Sequence, residues 1–141
     1  MIRRASFQKF GPFSNAYPKC SSNEYWLRIL SNGGRLAFSG TNTCIYRQNL
    51  VQRPRKATTL LSESARLCER YADWEAIPRS IARTQAAGLY RLAGRSLLNE
   101  NPSAALDSLL QALRLQPLSA QTLGLCAKVY LKKTTRRRRA A

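Results

Sequence analysis

Histidine is absent from this 141-residue sequence, and its four cysteines are scattered. Cys20, Cys44, Cys68 and Cys126 stand far apart, and no CxxC pair occurs. An ordinary zinc site needs closely spaced cysteine and histidine ligands, so the sequence predicts no metal site. The spacing does not indicate a secreted disulfide framework either. We therefore expect reduced thiols in a cytosolic protein.

Long apolar segments are also missing. No run approaches the roughly 20 apolar residues that a membrane-spanning helix needs. The opening residues are not followed by the apolar core of a secretory signal. The first acidic residue is Glu24, and this acid-poor opening loosely resembles an organelle transit peptide. We expect a cytoplasmic protein, with import into an organelle as the alternative.

Acidic residues are few. Seven Asp and Glu stand against 24 Lys and Arg, which gives a formal net charge of +17. Such a chain attracts phosphates, anionic lipid headgroups and nucleic acid even without a specific site. The only dense basic run is Lys132, Lys133 and the arginines at 136–139. We predict a disordered basic tail at 132–141 that could bind anionic polymers or the inner face of the membrane.

Residues 1–57 are rich in Gly, Ser, Asn, Pro and aromatic residues. A short helix is predicted at 3–10, where Gly11 and Pro12 end it. A second, amphipathic helix is predicted at 23–30, before Gly33 and Gly34. Segments 35–38 and 43–46 favour two short strands. The predicted fold class is thus α+β, mostly α.

Residues 58–131 are rich in leucine and alanine at helical spacing. Helices are predicted near 60–71 and 81–98. Asn101 and Pro102 favour the start of a third helix, which Pro117 stops, and Ser119 can cap a fourth. This arrangement predicts an antiparallel helical hairpin region. Residues 89–117 also resemble one tetratricopeptide unit, with four residues at the packing positions of that repeat: Ala105, Leu109, Ala112 and Pro117.

The order of several motifs resembles family 2 glycosyltransferases of the GT-A type. Residues 2–13 are similar to the family's RR-x-x-F-x-x-x-G-x-F segment, and residues 25–28 to its W-L-R helix. A glycine turn and a Y-R pair follow in that family, and here they correspond to Gly33, Gly34, Tyr46 and Arg47. The helices are similar to the helical C-terminal extension of bacterial members. The resemblance implies a small remnant of a GT-A domain at 1–57 and a tetratricopeptide-like extension at 58–131.

The same resemblance implies site residues. Ser22 aligns with the family's catalytic base, where a carboxylate would stand, and Glu24 is the nearby carboxylate that could replace it. Trp26, Arg28 and Arg47 align with substrate-binding segments. The family's nucleotide-binding half, with its D-x-D motif for Mn or Mg, lies upstream, and no D-x-D occurs here. We therefore expect no cofactor for this chain alone, no activity by itself, and nucleotide-sugar binding only with a separate upstream half as partner.

Two other functions remain open. The helical region is typical of a tetratricopeptide-like protein-interaction module. The positive charge, together with aromatic residues near basic ones, favours a nucleic-acid-binding protein. The aromatic residues concerned are Phe7, Phe10, Phe13, Tyr17, Tyr25 and Trp26.

Overall fold

The chain folds into two compact units, Met1–Arg53 and Pro54–Ala141, in the computed structural model. The structure describes residues 2–35, 37, 40–41 and 53–140, with side chains described outside 53–57 and 133–140. The described part is mostly helical and contains no strand. Of the two predicted strands, 43–46 lies outside the described residues, as does Arg47. Segment 35–38 is described only at Arg35 and Ala37, which are not in a strand.

The first unit contains two helices, α1 (Arg4–Phe10) and α2 (Ser21–Ser31). Both were predicted, and α2 begins two residues earlier than expected. Gly11 ends α1 at a φ of 76°, in the left-handed region that glycine adopts without strain. Its backbone N–H donates to the carbonyl of Phe7, which satisfies one of the last carbonyls of the helix.

An aromatic cluster packs the two helices of the first unit together. Tyr25 on α2 is fully buried and is stacked on Phe7 of α1, with ring centroids 5.2 Å apart. Phe13, from the segment between the helices, lies 4.8 Å from Tyr25, and Trp26 lies 5.8 Å from it. Aromatic pairs at these separations add to the free energy gained from burial. Of the aromatic residues that suggested stacking on nucleic acid, Tyr17 and Tyr25 are buried, whereas Phe7 and Phe13 remain exposed.

The second unit contains four helices: α3 (Arg53–Arg70), α4 (Arg79–Leu97), α5 (Pro102–Leu115) and α6 (Ala120–Ala140). All four were predicted, although α3 starts well before the expected residue 60. Pro54 lies in its first turn, where no backbone N–H is needed for an intrahelical bond. Asn101 caps α5 as expected, because its side chain accepts a hydrogen bond of 3.1 Å from the N–H of Ala104.

Helices α4 and α5 form the predicted antiparallel hairpin. Leu97, at the end of α4, packs with Ala105, at the start of α5. At the other end of the pair, Gln116 donates a hydrogen bond of 3.2 Å to Thr84. Two apolar clusters fill the unit: Ala65, Tyr90 and Ala112, which join α3, α4 and α5, and Ala105, Leu109 and Val129, which join α5 and α6. The three helical residues assigned to tetratricopeptide packing positions, Ala105, Leu109 and Ala112, are fully buried.

The basic tail differs from the sequence expectation. We predicted disorder at 132–141, but α6 continues to Ala140. Alanine, leucine, lysine and arginine all have high helix propensity, and neither proline nor glycine follows Gly124. No residue in this stretch therefore stops a helix that has already formed.

A polar network closes the side of the second unit where α3, α4 and α5 meet. The Tyr90 hydroxyl donates a hydrogen bond of 2.8 Å to Glu69 of α3, whose other carboxylate oxygen pairs with Arg114 of α5. Burial raises the pKa of Tyr90 above its usual 10.0, and the hydrogen bond to the Glu69 carboxylate raises it further. Both effects favour the neutral phenol in the folded state.

This pKa shift predicts an alkaline loss of stability. Because the folded-state pKa lies above the unfolded value, the contribution of Tyr90 is complete below pH 10.0 and declines as pH rises further. The free energy of unfolding of the wild type should therefore fall more steeply above that pH than that of Tyr90→Phe. Urea titrations of both proteins across the alkaline range measure this difference. Parallel pH profiles would contradict it.

Candidate functional site

The two residues aligned with a catalytic base lie in different environments on α2. Ser22 is exposed, whereas Glu24 is only 2% exposed. The carboxylate of Glu24 pairs with Arg28 one turn later, with Oε2 and Nη2 separated by 3.2 Å. A base must reach the proton that it abstracts, and this carboxylate is covered by protein. That either residue acts as a base remains a prediction from the resemblance.

Arg28 holds the first unit together. Its Nη1 donates to the carbonyl of Phe10, and its Nη2 donates to that of Pro12, each at 2.7 Å. The guanidinium also lies over the ring of Tyr25, 5.2 Å from the centroid. Glu24 orients this guanidinium, so the geometry gives the pair a structural role. Sequence reasoning proposed Arg28 and Trp26 as substrate-binding residues. The structure places both of them partly buried, at the aromatic cluster.

The described residues contain neither a cluster of metal ligands nor a membrane-spanning helix. No group of three or more His, Cys, Asp or Glu side chains is close enough to hold a metal ion there. None of Cys20, Cys68 and Cys126 is in a disulfide bond, and Cys44 lies outside the described residues. In the same part of the chain, no helix combines the length and apolarity needed to cross a bilayer.

A groove in the second unit has features of a binding site. It is an open depression of about 460 Å³ between α4 and α6. Helix α4 contributes Arg91, Leu92 and Arg95, and α6 contributes five residues: Ala120, Gln121, Gly124, Leu125 and Lys128. We name it the α4–α6 groove.

Three cations line the α4–α6 groove, and none of its lining residues is acidic. Arg91 and Arg95 are one turn apart on α4, so their side chains project from the same face. Lys128 faces them from α6 and is exposed. Among the described residues, these three cations make no ion pair. The carboxylates that pair with arginine lie elsewhere, at Glu69 and Asp73 within this unit. The groove therefore has a positive potential that is not neutralised internally.

The floor of the groove is partly apolar. Leu92 is 50% exposed, which is high for a leucine in the middle of a helix. Leu125 is half-buried beside it, and Gly124 leaves the α6 backbone open to an approaching chain. Gln121, exposed at one end, has an amide that can donate and accept hydrogen bonds. The groove thus combines positive charge, apolar contact and hydrogen-bonding capacity.

Sequence reasoning did not find this groove. The repeat of Arg91 and Arg95 at i and i+4, with Leu92 between them, was a visible signal. Lys128 is separated from them by a complete helix, however. Only the return of the chain through α5 brings it to the same groove.

Comparisons with known proteins provide no further guide. No protein-family model matches the sequence, and neither a curated protein nor a solved structure shows significant similarity to it. Functional inference therefore depends on the geometry of the groove and on the sequence resemblances described above.

Proposed function

We propose that the second unit is a helical protein-interaction module, and that its α4–α6 groove binds an extended acidic segment of a partner protein. The observation that carries this proposal is the set of three cations, Arg91, Arg95 and Lys128, around a partly apolar floor with no acidic neighbour in the groove. An acidic chain with interspersed apolar side chains complements both properties. Charge complementarity of this kind speeds association and rejects wrong partners.

The architecture supports the proposal. Tetratricopeptide-like hairpins stack to form extended concave surfaces, and such surfaces are where helical repeat proteins bind their partners. Here α5 packs against both α4 and α6. Arg91, Arg95 and Lys128 belong to neither apolar cluster, so these groove side chains can vary without loss of the fold.

A sequence-independent affinity for nucleic acid and the glycosyltransferase resemblance both remain predictions from sequence. The net charge of +17 favours the former, and the motif order in residues 2–47 the latter. Neither function is supported by a described binding site, whereas the α4–α6 groove supports binding of an acidic segment.

Fluorescence anisotropy tests the proposal with a short labelled peptide of alternating glutamate and leucine. We expect saturable binding at about 0.15 M salt, where long-range attraction between exposed charges is largely screened. The double variant Arg95→Glu, Lys128→Glu should weaken binding about tenfold or more, because it replaces two attractions with two repulsions. Arg83→Glu is the matched control, since Arg83 is an exposed α4 residue outside the groove.

Three outcomes would count against the proposal. The first is weakening by Arg83→Glu as large as that by the single variant Arg95→Glu, which would show attraction by net charge alone. The second is equal binding of a peptide with glutamine in place of glutamate. The third is preferential binding of a uridine oligonucleotide of the same charge with a steep salt dependence, which would favour nucleic acid as the ligand.

A further inference from the structure

Helices α4 and α6 carry the same short pattern. It reads Ala86-Ala87-x-x-Tyr90 on α4 and Cys126-Ala127-x-x-Tyr130 on α6. The packing on the preceding helix also corresponds. Leu89, just before Tyr90, packs against the cluster that contains Ala65 of α3. Val129, just before Tyr130, packs with Ala105 and Leu109 of α5. In both helices, the residue before the tyrosine therefore packs in an apolar cluster.

The two helices differ in whether the alanine and the tyrosine of this pattern are covered by another helix. On α4, Ala87 is 1% exposed and Tyr90 is 7% exposed, and Tyr90 packs with Ala112 of α5. On α6, the equivalent Ala127 is exposed, and Tyr130 is 66% exposed. Among the described residues, no helix takes the place on α6 that α5 takes on α4.

The uncovered residues form a continuous apolar stripe. Leu123, Ala127 and Tyr130 follow at i, i+4 and i+7, which places them on one side of α6. Leu123 is 49% exposed, and Leu131, at the edge of the same side, is 64% exposed. Exposed apolar residues clustered in this way mark interaction sites more often than isolated ones do. We name these residues the α6 stripe. The groove residues Gln121, Gly124 and Lys128 project from a different side of the helix.

We propose that the α6 stripe docks an amphipathic helix from a partner protein. The helix would lie antiparallel to α6, as α5 lies on α4, with a small residue against Tyr130 as Ala112 packs with Tyr90. Helix-in-groove recognition uses apolar anchors at the same spacing. This surface is distinct from the α4–α6 groove, so one partner could occupy both or two partners could bind independently.

The positive charge of α6 indicates which kind of partner helix the α6 stripe would bind. Helix α6 contains Lys128, Lys132, Lys133 and the arginines at 136–139, and it has no acidic residue. Two copies of α6 would bring these cations together, so repulsion disfavours a second copy of the chain as the occupant. A helix with acidic residues beside its apolar seam fits. Such a carboxylate could also accept a hydrogen bond from Tyr130, as Glu69 does from Tyr90 at 2.8 Å.

The chain itself supplies a probe for this proposal. A labelled peptide with the sequence of residues 101–116 contains Ala105, Leu109 and Ala112, which form the apolar side of α5 that packs on α4. We name these three residues the seam and this peptide the seam peptide. The changes Ser103→Glu, Gln111→Glu and Arg114→Glu, at exposed α5 positions, give it acidic flanks. A control peptide carries the same changes together with Leu109→Glu, which destroys the seam. Binding to the full chain is measured by fluorescence anisotropy.

We expect the seam peptide to bind and the control peptide to bind at least about tenfold more weakly, because one charge replaces a central apolar anchor. Ala127→Arg and, separately, Tyr130→Glu should weaken binding of the seam peptide to a similar extent. Both residues are exposed, so circular dichroism should show an unchanged fold. Arg95→Glu should leave binding of the seam peptide unchanged, although it weakens binding of the extended acidic peptide.

Two results would overturn the docking proposal. One is binding that Arg95→Glu weakens and Ala127→Arg does not, which would place the helix in the α4–α6 groove. The other is concentration-dependent dimerisation of the wild type in analytical ultracentrifugation that Ala127→Arg abolishes. That result would show that a second copy, despite its charge, covers the stripe.

Discussion

Replacing Arg28 with methionine is expected to unfold the first unit while the second remains folded. Methionine retains much of the apolar stem but removes the guanidinium. The buried carboxylate of Glu24 then loses its cation, and the carbonyls of Phe10 and Pro12 lose their donors. Removing one partner of a buried ion pair costs about 3–5 kcal/mol. The first unit spans only Met1–Arg53, and a unit of that size has little stability to lose.

Fluorescence of Trp26 in a Trp74→Phe background reports on the first unit alone, because Trp74 is the only other tryptophan. We expect Arg28→Met to shift its emission to that of the unfolded protein. The double variant Arg28→Met, Glu24→Met should recover part of the loss, since it removes the buried charge as well. Native-like Trp26 emission in Arg28→Met would show that the ion pair does not hold this unit together.

A pair of glycine replacements on α4 should have opposite effects on the second unit. A Cβ added at Gly94 would lie 2.7 Å from Cγ of Leu109 and 3.0 Å from the carbonyl oxygen of Ala105. Helices α4 and α5 would have to separate, and overpacking of a core costs about 1–3 kcal/mol. Gly94→Val adds a branched side chain at the same point, so we expect a loss of about 3 kcal/mol in the free energy of unfolding.

Gly88 is the matched control on the same helix. Apart from the adjacent residues and the nearby backbone of α4 itself, no atom lies within 4 Å of a Cβ added there. Gly88→Ala should therefore stabilise the second unit by up to about 1 kcal/mol, through helix propensity alone. Urea titrations monitored by far-ultraviolet circular dichroism measure both changes. Stabilisation by Gly94→Val, or destabilisation by Gly88→Ala, would show that the contact between α4 and α5 is not as described.

The helices were predictable because their signals are local. Apolar spacing along α3 to α6, the Asn101 cap and the glycines after α1 and α2 act within a few residues of each element. The small seam residues of α5 also indicated which side would be buried. The full length of α6 was not predicted, because a run of basic residues suggests a solvated tail. Lysine and arginine nevertheless have high helix propensity.

The contacts that define the candidate sites were not predictable, because they are tertiary. The pairing of Glu24 with Arg28 is visible as an i, i+4 spacing, but the two carbonyls that Arg28 binds come from the segment between the helices. Lys128 approaches Arg91 and Arg95 only after α5 has reversed the chain. Tyr90 and Tyr130 stand in the same sequence pattern, but within the described part of the chain only Tyr90 is covered by another helix.

Nuclear magnetic resonance of the ¹⁵N-labelled chain, titrated with the acidic glutamate–leucine peptide, tests the central claim most directly. The chain has seven glycines, and their amide signals fall in a sparse region of the spectrum. Gly124 lines the α4–α6 groove, whereas Gly88 does not line it and Gly94 is covered by α5. We predict a saturable shift of Gly124 and the neighbouring Gln121 and Leu92 amides, with Gly88 and Gly94 unmoved. Shifts confined to residues 133–140, with the Gly124 signal unchanged, would contradict specific binding in the groove. They would show that the peptide binds only to the positive charge of the tail.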